Sequence, residues 1–116
     1  VVDLVPGYPF VLHGAASLPP ELIAACNEQG GAVEYLRNCS EDSIAKAVLI
    51  GAKKVNMDVD NFLASTTAVR KFLNERPSVY DPRKYLEPAR DAFQKEVEHK
   101  MQRVLKSAGR YQGGEK

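Results

Sequence analysis

The apolar run Phe10-Val11-Leu12 closes on His13-Gly14-Ala15-Ala16-Ser17. A strand that ends this way delivers one imidazole and several free backbone amides to a single spot, which suits a metal ion beside a phosphate. It is one arm of such a site. The only other histidine, His99, falls in a long charged stretch and reads as a solvated helix residue. Taken alone, His13 reads more readily as a satisfied structural histidine than as a ligand. A second polar group follows Lys53-Lys54-Val55, where Asn56-Met57-Asp58-Val59-Asp60 offers an amide and two carboxylates. Its plain reading is a helix-capping turn, with Asp60 suited to the cap. Arg83, in Asp81-Pro82-Arg83, reads by itself as an ordinary surface arginine. Lys53 and Lys54 read as solvated charges, because a Schiff-base lysine needs a buried pocket that lowers its pKa, and nothing marks one. Cys26 and Cys39 match neither a disulfide framework nor a zinc spacing. They read as a small buried helix residue and a loop thiol, both reduced as in a cytoplasmic protein.

The elements that must position these residues follow from apolar spacing and from glycine and proline. Tyr8 to Leu12 reads as a buried strand between Pro-Gly and His-Gly. Pro19-Pro20-Glu21 opens a helix that turns Leu22, Ile23 and Cys26 inward and stops at Gly30-Gly31. Positions 32–39 read as a loop. Ser40-Glu41-Asp42 starts a second helix, with a capping hydroxyl and two acids at the positive end of the dipole. Ile44, Ala47, Val48 and Ile50 form its apolar face, and Gly51 ends it. Lys53 to Met57 is the second strand. Asp58-Val59-Asp60 turns into a helix from about Asn61 to Glu75 that buries Phe62, Val69, Phe72 and Leu73. Pro77 stops that helix, and Ser78 to Pro82 reads as a linker. Tyr85-Leu86 makes a short turn, and the longest helix runs from Pro88 to about Lys106. Its apolar stripe is Ala89, Phe93, Val97, Met101 and Val104, Gly109 ends it, and Gln112 to Lys116 reads as a frayed tail.

Strand, helix, helix, strand, helix and a helical extension argue for a parallel sheet. Two parallel strands close nothing, and such strands need cover on both faces. A (β/α)8 barrel needs about 250 residues, so the pattern reads as a slice of a barrel from its C-terminal end. The chain's 116 residues suffice for one modest domain. The division expected is 1–76 for the last βα units, 77–110 for a helical extension and 111–116 for the tail. A net charge of +1 gives no reason to expect nucleic acid or an anionic membrane as partner. No apolar run approaches the roughly 20 residues that span a bilayer. Pro6, Gly7 and Pro9 leave no signal-peptide pattern at the start, and Val1-Val2-Asp3 reads as a cut end rather than a natural one.

Three segments, in order and at this spacing, resemble the class II fructose-1,6-bisphosphate aldolases: Phe10-Val11-Leu12-His13-Gly14-Ala15, Val55-Asn56-Met57-Asp58-Val59-Asp60 and Asp81-Pro82-Arg83-Lys84-Tyr85-Leu86. Asn27-Glu28-Gln29-Gly30-Gly31, Pro88-Ala89-Arg90-Asp91-Ala92, His99-Lys100 and Ser107-Ala108-Gly109 are similar too. Each segment alone is weak; together, in register, they are specific. The resemblance covers nearly the whole chain and matches the C-terminal third of such an enzyme, from just before strand seven of the barrel.

The resemblance implies a zinc-dependent (β/α)8 barrel that cleaves fructose 1,6-bisphosphate to dihydroxyacetone phosphate and glyceraldehyde 3-phosphate. Zinc held by three histidines acts as a Lewis acid. On that pattern His13 matches the last zinc ligand. Gly14 matches a backbone contact to phosphate and to a monovalent cation. Asn56 matches the strand-eight asparagine that binds the dihydroxyacetone moiety, and Asp58 its neighbour at the phosphate site. Arg83 matches an arginine that crosses a subunit interface to the other phosphate, which implies a homo-oligomer. The remaining zinc ligands and the catalytic acid would come from the N-terminal remainder of the barrel, so this segment holds no catalytic residue and is expected to be inactive alone.

Two positions depart from the pattern. Ala16 stands where the family usually has a serine, with Ser17 one position later. Val59 stands where it usually has threonine or serine. Each lost hydrogen bond to a charged group costs about 1.5–3 kcal/mol, so the pair would weaken phosphate binding a hundredfold or more. The departures keep two alternatives open. One is a non-catalytic, aldolase-like interaction module whose sheet edges a partner covers. The other is an aldolase for a different ketose bisphosphate, such as tagatose bisphosphate.

Overall fold

The computed structural model describes residues 3–34 and 39–110. The elements run β1 (Phe10–Leu12), α1 (Pro20–Glu28), α2 (Glu41–Ile50), β2 (Ala52–Val55), α3 (Val59–Glu75) and α4 (Pro82–His99), with a π-helical turn over Lys100–Val104. The order strand, helix, helix, strand, helix and helical extension is the one expected. The tail at 112–116 and part of the loop at 32–39 lie outside the described residues.

β1 and β2 form a parallel two-stranded sheet, with Phe10 opposite Ala52, Val11 opposite Lys54 and Leu12 opposite Val55. Both strands are shorter than the apolar runs suggested. Tyr8 and Pro9 precede the pairing, and Asn56 and Met57 follow it. With three and four residues each, the strands leave much of their surface to other cover. α1 starts with Pro20 in its first turn and gives Ile23 and Cys26 to the core. At Gly31, a Cβ would stand 2.7 Å from the carbonyl oxygen of Cys26, so only glycine lets the chain pass there. Ser40 caps α2, its Oγ accepting the Ser43 N–H at 3.2 Å.

The core is divided. Leu18, Ile23, Cys26 and Leu63 form one cluster, with Leu22 and Val33 against it. Ala15, Ile44 and Val104 form the other, with Leu12 and Val55 against it. Several apolar residues expected inside are not. Phe62 is 60% exposed, because α3 turns the adjacent Leu63 and Ala64 inward instead. Ile50, at the end of α2, is also exposed.

The C-terminal helix departs most from expectation. α4 begins at Pro82, not Pro88, so Tyr85 and Leu86 lie inside it and the preceding connection ends at Asp81. Asp81 caps it, with Oδ1 accepting the Arg83 N–H at 3.0 Å, and Pro82 fits the first helical position. Pro88 is therefore an interior proline, which removes one backbone donor. At the far end the α-helix gives way to the wider π-helical turn. There Lys100 and Val104 face inward, while Met101 and Phe93, expected on the buried stripe, are exposed. No helix among the described residues is long and apolar enough to cross a membrane.

Candidate functional site

His13 follows β1 and Asn56 follows β2, so both project from the C-terminal ends of paired parallel strands. The Asn56 N–H donates to the Leu12 carbonyl at 3.0 Å, extending the ladder by one bond past β2. That bond sets the two side chains beside each other. The Asn56 amide Nδ2 lies 2.9 Å from His13 Nδ1, close enough to donate to it. The imidazole and the amide, far apart in sequence, meet at an exposed rim. Gly14 follows with φ of +64°, and a Cβ there would meet nothing within 4 Å. The glycine serves conformation rather than space, and it leaves the backbone open on the solvent side.

Asp58 stands at the N-cap of α3, exposed. Its side chain makes no capping hydrogen bond, and its carbonyl accepts the Phe62 N–H at 2.9 Å. Asp60 does not cap the helix either; it is fully buried in the first turn. Val59 exposes its side chain between them. Arg83 engages Asp81 instead of His13 or Asn56. Its Nε and Nη2 donate to the two Asp81 carboxylate oxygens, the shorter contact being 2.7 Å. The guanidinium holds the Asp81 carboxyl below the usual carboxylate range. The structure thus joins His13 to Asn56, brings neither Gly14 nor Asp58 into a hydrogen bond with that pair, and leaves Arg83 in a separate pair on α4.

Among the described residues, no group of three or more His, Cys, Asp or Glu side chains could hold a metal ion. His13 offers a single imidazole, whereas a catalytic zinc normally takes three protein ligands. The described residues do not by themselves fit a zinc site.

Behind the rim lies a charged cluster that sequence reasoning missed. Lys100 is only 3% exposed. Its Nζ donates to Ser17 Oγ at 2.7 Å and to Glu41 Oε1 at 2.7 Å, and lies 3.0 Å from Asp60 Oδ2 and from Glu96 Oε1. Ser17 Oγ donates to Asp60 Oδ2 at 3.3 Å. His99 is not simply solvated: its Nε2 sits 2.9 Å from the Glu41 carboxylate. Burial works against the Lys100 ammonium, but hydrogen bonds to Glu41, Asp60 and Glu96 overcome it and raise the pKa above its ordinary value. Burial likewise works against the Glu41 carboxylate, yet hydrogen bonds from Lys100 and His99 bring its pKa below the ordinary value. The available signal was the i, i+4 pair Glu96 and Lys100. A lysine one position from Met101 on an apolar stripe does not announce its own burial.

A family model described as fructose-bisphosphate aldolase class-II matches residues 1–110. A fructose-bisphosphate aldolase of Treponema pallidum is 43% identical over 106 residues, which cover 91% of this chain and 32% of that protein. One of Thermus caldophilus is 40% identical over 110 residues, covering 95% of this chain and 35% of the relative. One of Giardia intestinalis is 39% identical over 87 residues, covering 75% and 27%. The chain spans about a third of the length of the curated relatives it matches. By the extent of that match, the chain belongs to the class II fructose-bisphosphate aldolase family.

Proposed function

We propose that the chain is the C-terminal segment of a zinc-dependent (β/α)8 aldolase that reversibly cleaves fructose 1,6-bisphosphate. Residues 1–76 would supply strands seven and eight with their helices, and 77–110 the helical extension. The observation that carries this reading is the 2.9 Å approach of Asn56 to His13 at the C-terminal ends of two parallel strands. Barrel enzymes build their sites at that end. A bound zinc would supply Lewis-acid stabilisation of charge at oxygen.

The other roles on this side of the site fall to the chain's own residues. His13 provides one ligand and is oriented by the Asn56 amide. The amide nitrogen lies 2.9 Å from Nδ1 and 3.4 Å from Nε2, along one edge of the ring. Asn56 offers its remaining polar atoms to the dihydroxyacetone moiety. Gly14, held at positive φ, presents backbone to a phosphate and to a monovalent cation. Asp58, exposed and unused in capping, would border the same phosphate site. Arg83 on exposed α4 would reach the second phosphate of a neighbouring subunit in a cytoplasmic homo-oligomer. The other metal ligands and the proton-transferring acid lie in the N-terminal remainder of the barrel.

The departures support a second reading, an aldolase-like module with a degenerate phosphate pocket. Ser17 cannot stand in for a hydroxyl at position 16, because it is buried and engaged with Lys100 and Asp60. A coupled assay for dihydroxyacetone phosphate release separates the readings. The chain alone, with zinc and bisphosphate, is expected to give no turnover. The same chain within its complete barrel is expected to cleave fructose 1,6-bisphosphate faster than tagatose 1,6-bisphosphate. A complete barrel that binds zinc but turns over neither sugar supports the module.

A further inference from the structure

Three parts of the chain that are distant in sequence meet on one ammonium group. Lys100 Nζ faces four oxygen acceptors, from Ser17, Glu41, Asp60 and Glu96, with three N–H bonds to give. Two of these acceptors have a shared relation to the candidate site. Ser17 comes four residues after His13, and Asp60 comes four residues after Asn56. The Ser17 hydroxyl also donates directly to Asp60. The loop that leaves β1 and the loop that leaves β2 are therefore tied to each other on the buried side. On the exposed side the same two loops touch through His13 and Asn56.

The intervening residues transmit the tie. Ala15 is fully buried against Ile44 and Val104. The Ala16 carbonyl accepts the Cys39 N–H at 3.0 Å. Asp60 also accepts the Asn61 N–H through Oδ1 at 3.3 Å, which fixes it to the first turn of α3. Lys100 reaches this place through the π-helical turn, whose Leu105 N–H bonds to the Lys100 carbonyl at 2.8 Å. That turn buries Val104 against Ala15 while Lys100 meets Ser17. π-helical turns often mark functional positions because they re-aim side chains within a helix.

We propose that Lys100 is a positioning residue. It touches neither His13 nor Asn56, but by clamping Ser17 and Asp60 together it fixes the separation of the imidazole and the amide. The proposal deepens the functional reading and rests on it for the consequence in catalysis. The geometric claim itself concerns only this chain's side chains.

The test uses the complete barrel that contains this chain. Lys100→Met keeps the apolar stem and removes the ammonium, Ser17→Ala removes one hydroxyl, and Ile23→Ala is a control in the other core cluster. Two readouts are taken well below each variant's Tm: kcat with KM, and the imidazole resonances of His13 in protein with 15N-labelled histidine, assigned with His13→Gln. In Lys100→Met, kcat is expected to fall about tenfold or more, the order of loss that sub-ångström to ångström misplacement produces, while KM changes less. The His13 resonances are expected to shift in Lys100→Met and in Ser17→Ala. Ile23→Ala is expected to lower Tm and leave both readouts in place. A folded Lys100→Met protein with unshifted His13 resonances and unchanged kcat overturns the proposal. If Lys100→Met does not fold, Ser17→Ala decides by the same two criteria. If the unmutated barrel cleaves no bisphosphate, the aldolase reading fails, and the resonances alone decide whether Lys100 positions His13.

Discussion

At the scale of single residues, a one-position shift of a hydroxyl has a visible structural consequence. Alternate residues of an extended segment face opposite ways, so a serine at 17 and a serine at 16 are not equivalent. Ala16 is half-buried, and Ser17 is 2% exposed with its hydroxyl placed between Lys100 and Asp60. Val59 presents methyl groups where a threonine would present an oxygen. Neither side chain can donate a hydrogen bond to a phosphate beside Gly14. Restoring both hydroxyls, with Ala16→Ser and Val59→Thr in the complete barrel, is therefore expected to tighten inorganic phosphate binding a hundredfold or more, at about 1.5–3 kcal/mol for each bond. Calorimetric titration checks it, and equal affinity in the two proteins would show that backbone amides alone set phosphate binding. His13 stood out in the sequence as a polar residue closing an apolar run, whereas Gly14, Asn56 and Asp58 were singled out by the resemblance to the aldolases. Lys100, Ser17 and Asp60 were not. Each is an ordinary polar residue until the fold brings it within 3.3 Å of the others.

At the scale of elements, order and type could be read from the sequence, while the ends of α4 could not. Asp81-Pro82 carries a complete start signal, a capping carboxylate followed by a proline in the first turn. Pro88 masked it, because an interior proline costs a helix about 3 kcal/mol and so reads as a boundary. The other end was hidden because a π-helical turn departs from the 3.6-residue period on which stripe reading rests. The carboxylate cluster there joins the start of α2, the first turn of α3 and the end of α4. Its charges predict how stability follows pH. Glu41 has a lowered pKa, so its contribution is present above its ordinary value of 4.5 and is lost as pH falls through the lower, folded value. Lys100 has a raised pKa, so its contribution is present below 10.5 and is lost as pH rises through the higher, folded value. Asp60, Glu96 and His99 face the same groups. At neutral pH Glu41→Gln should cost stability in the complete barrel. In acid the cost should shrink toward zero, because Glu41 itself becomes neutral. Urea unfolding at neutral pH and in acid measures the difference, and a cost that persists undiminished in acid would mean that the Glu41 charge contributes nothing.

At the scale of the whole molecule, this chain is an open slab. Its extents are 57 × 41 × 17 Å and its radius of gyration is 17.3 Å. A compact chain of this length has a radius of about 13 Å. Its accessible surface is 8638 Å², whereas a folded monomer of the same mass exposes roughly 6,300 Å². The excess, about 2,300 Å², matches one partner's share of a large obligate interface, which buries up to about 5,000 Å² over both partners. It includes apolar residues that lack cover in this chain. Val11 on β1 is half exposed, Leu49 and Ile50 at the end of α2 are mostly exposed, and so is Phe62 on α3. Asn61 Oδ1 is buried with no hydrogen-bond partner among the described residues, the kind of acceptor that a neighbouring element satisfies. The two-stranded parallel sheet has the same need, since such strands are stable only with both faces and edges occupied. The expected outcome is that the isolated chain self-associates above its 12.8 kDa mass. Co-expressed with a separate polypeptide carrying the N-terminal two thirds of its barrel, it should enter a stoichiometric complex instead. Analytical ultracentrifugation of the two preparations distinguishes these states. A chain that sediments as a stable monomer, and ignores the other part of the barrel, would mean that the exposed strands and helix ends are tolerated as a free surface, and would favour the interaction module over the enzyme segment.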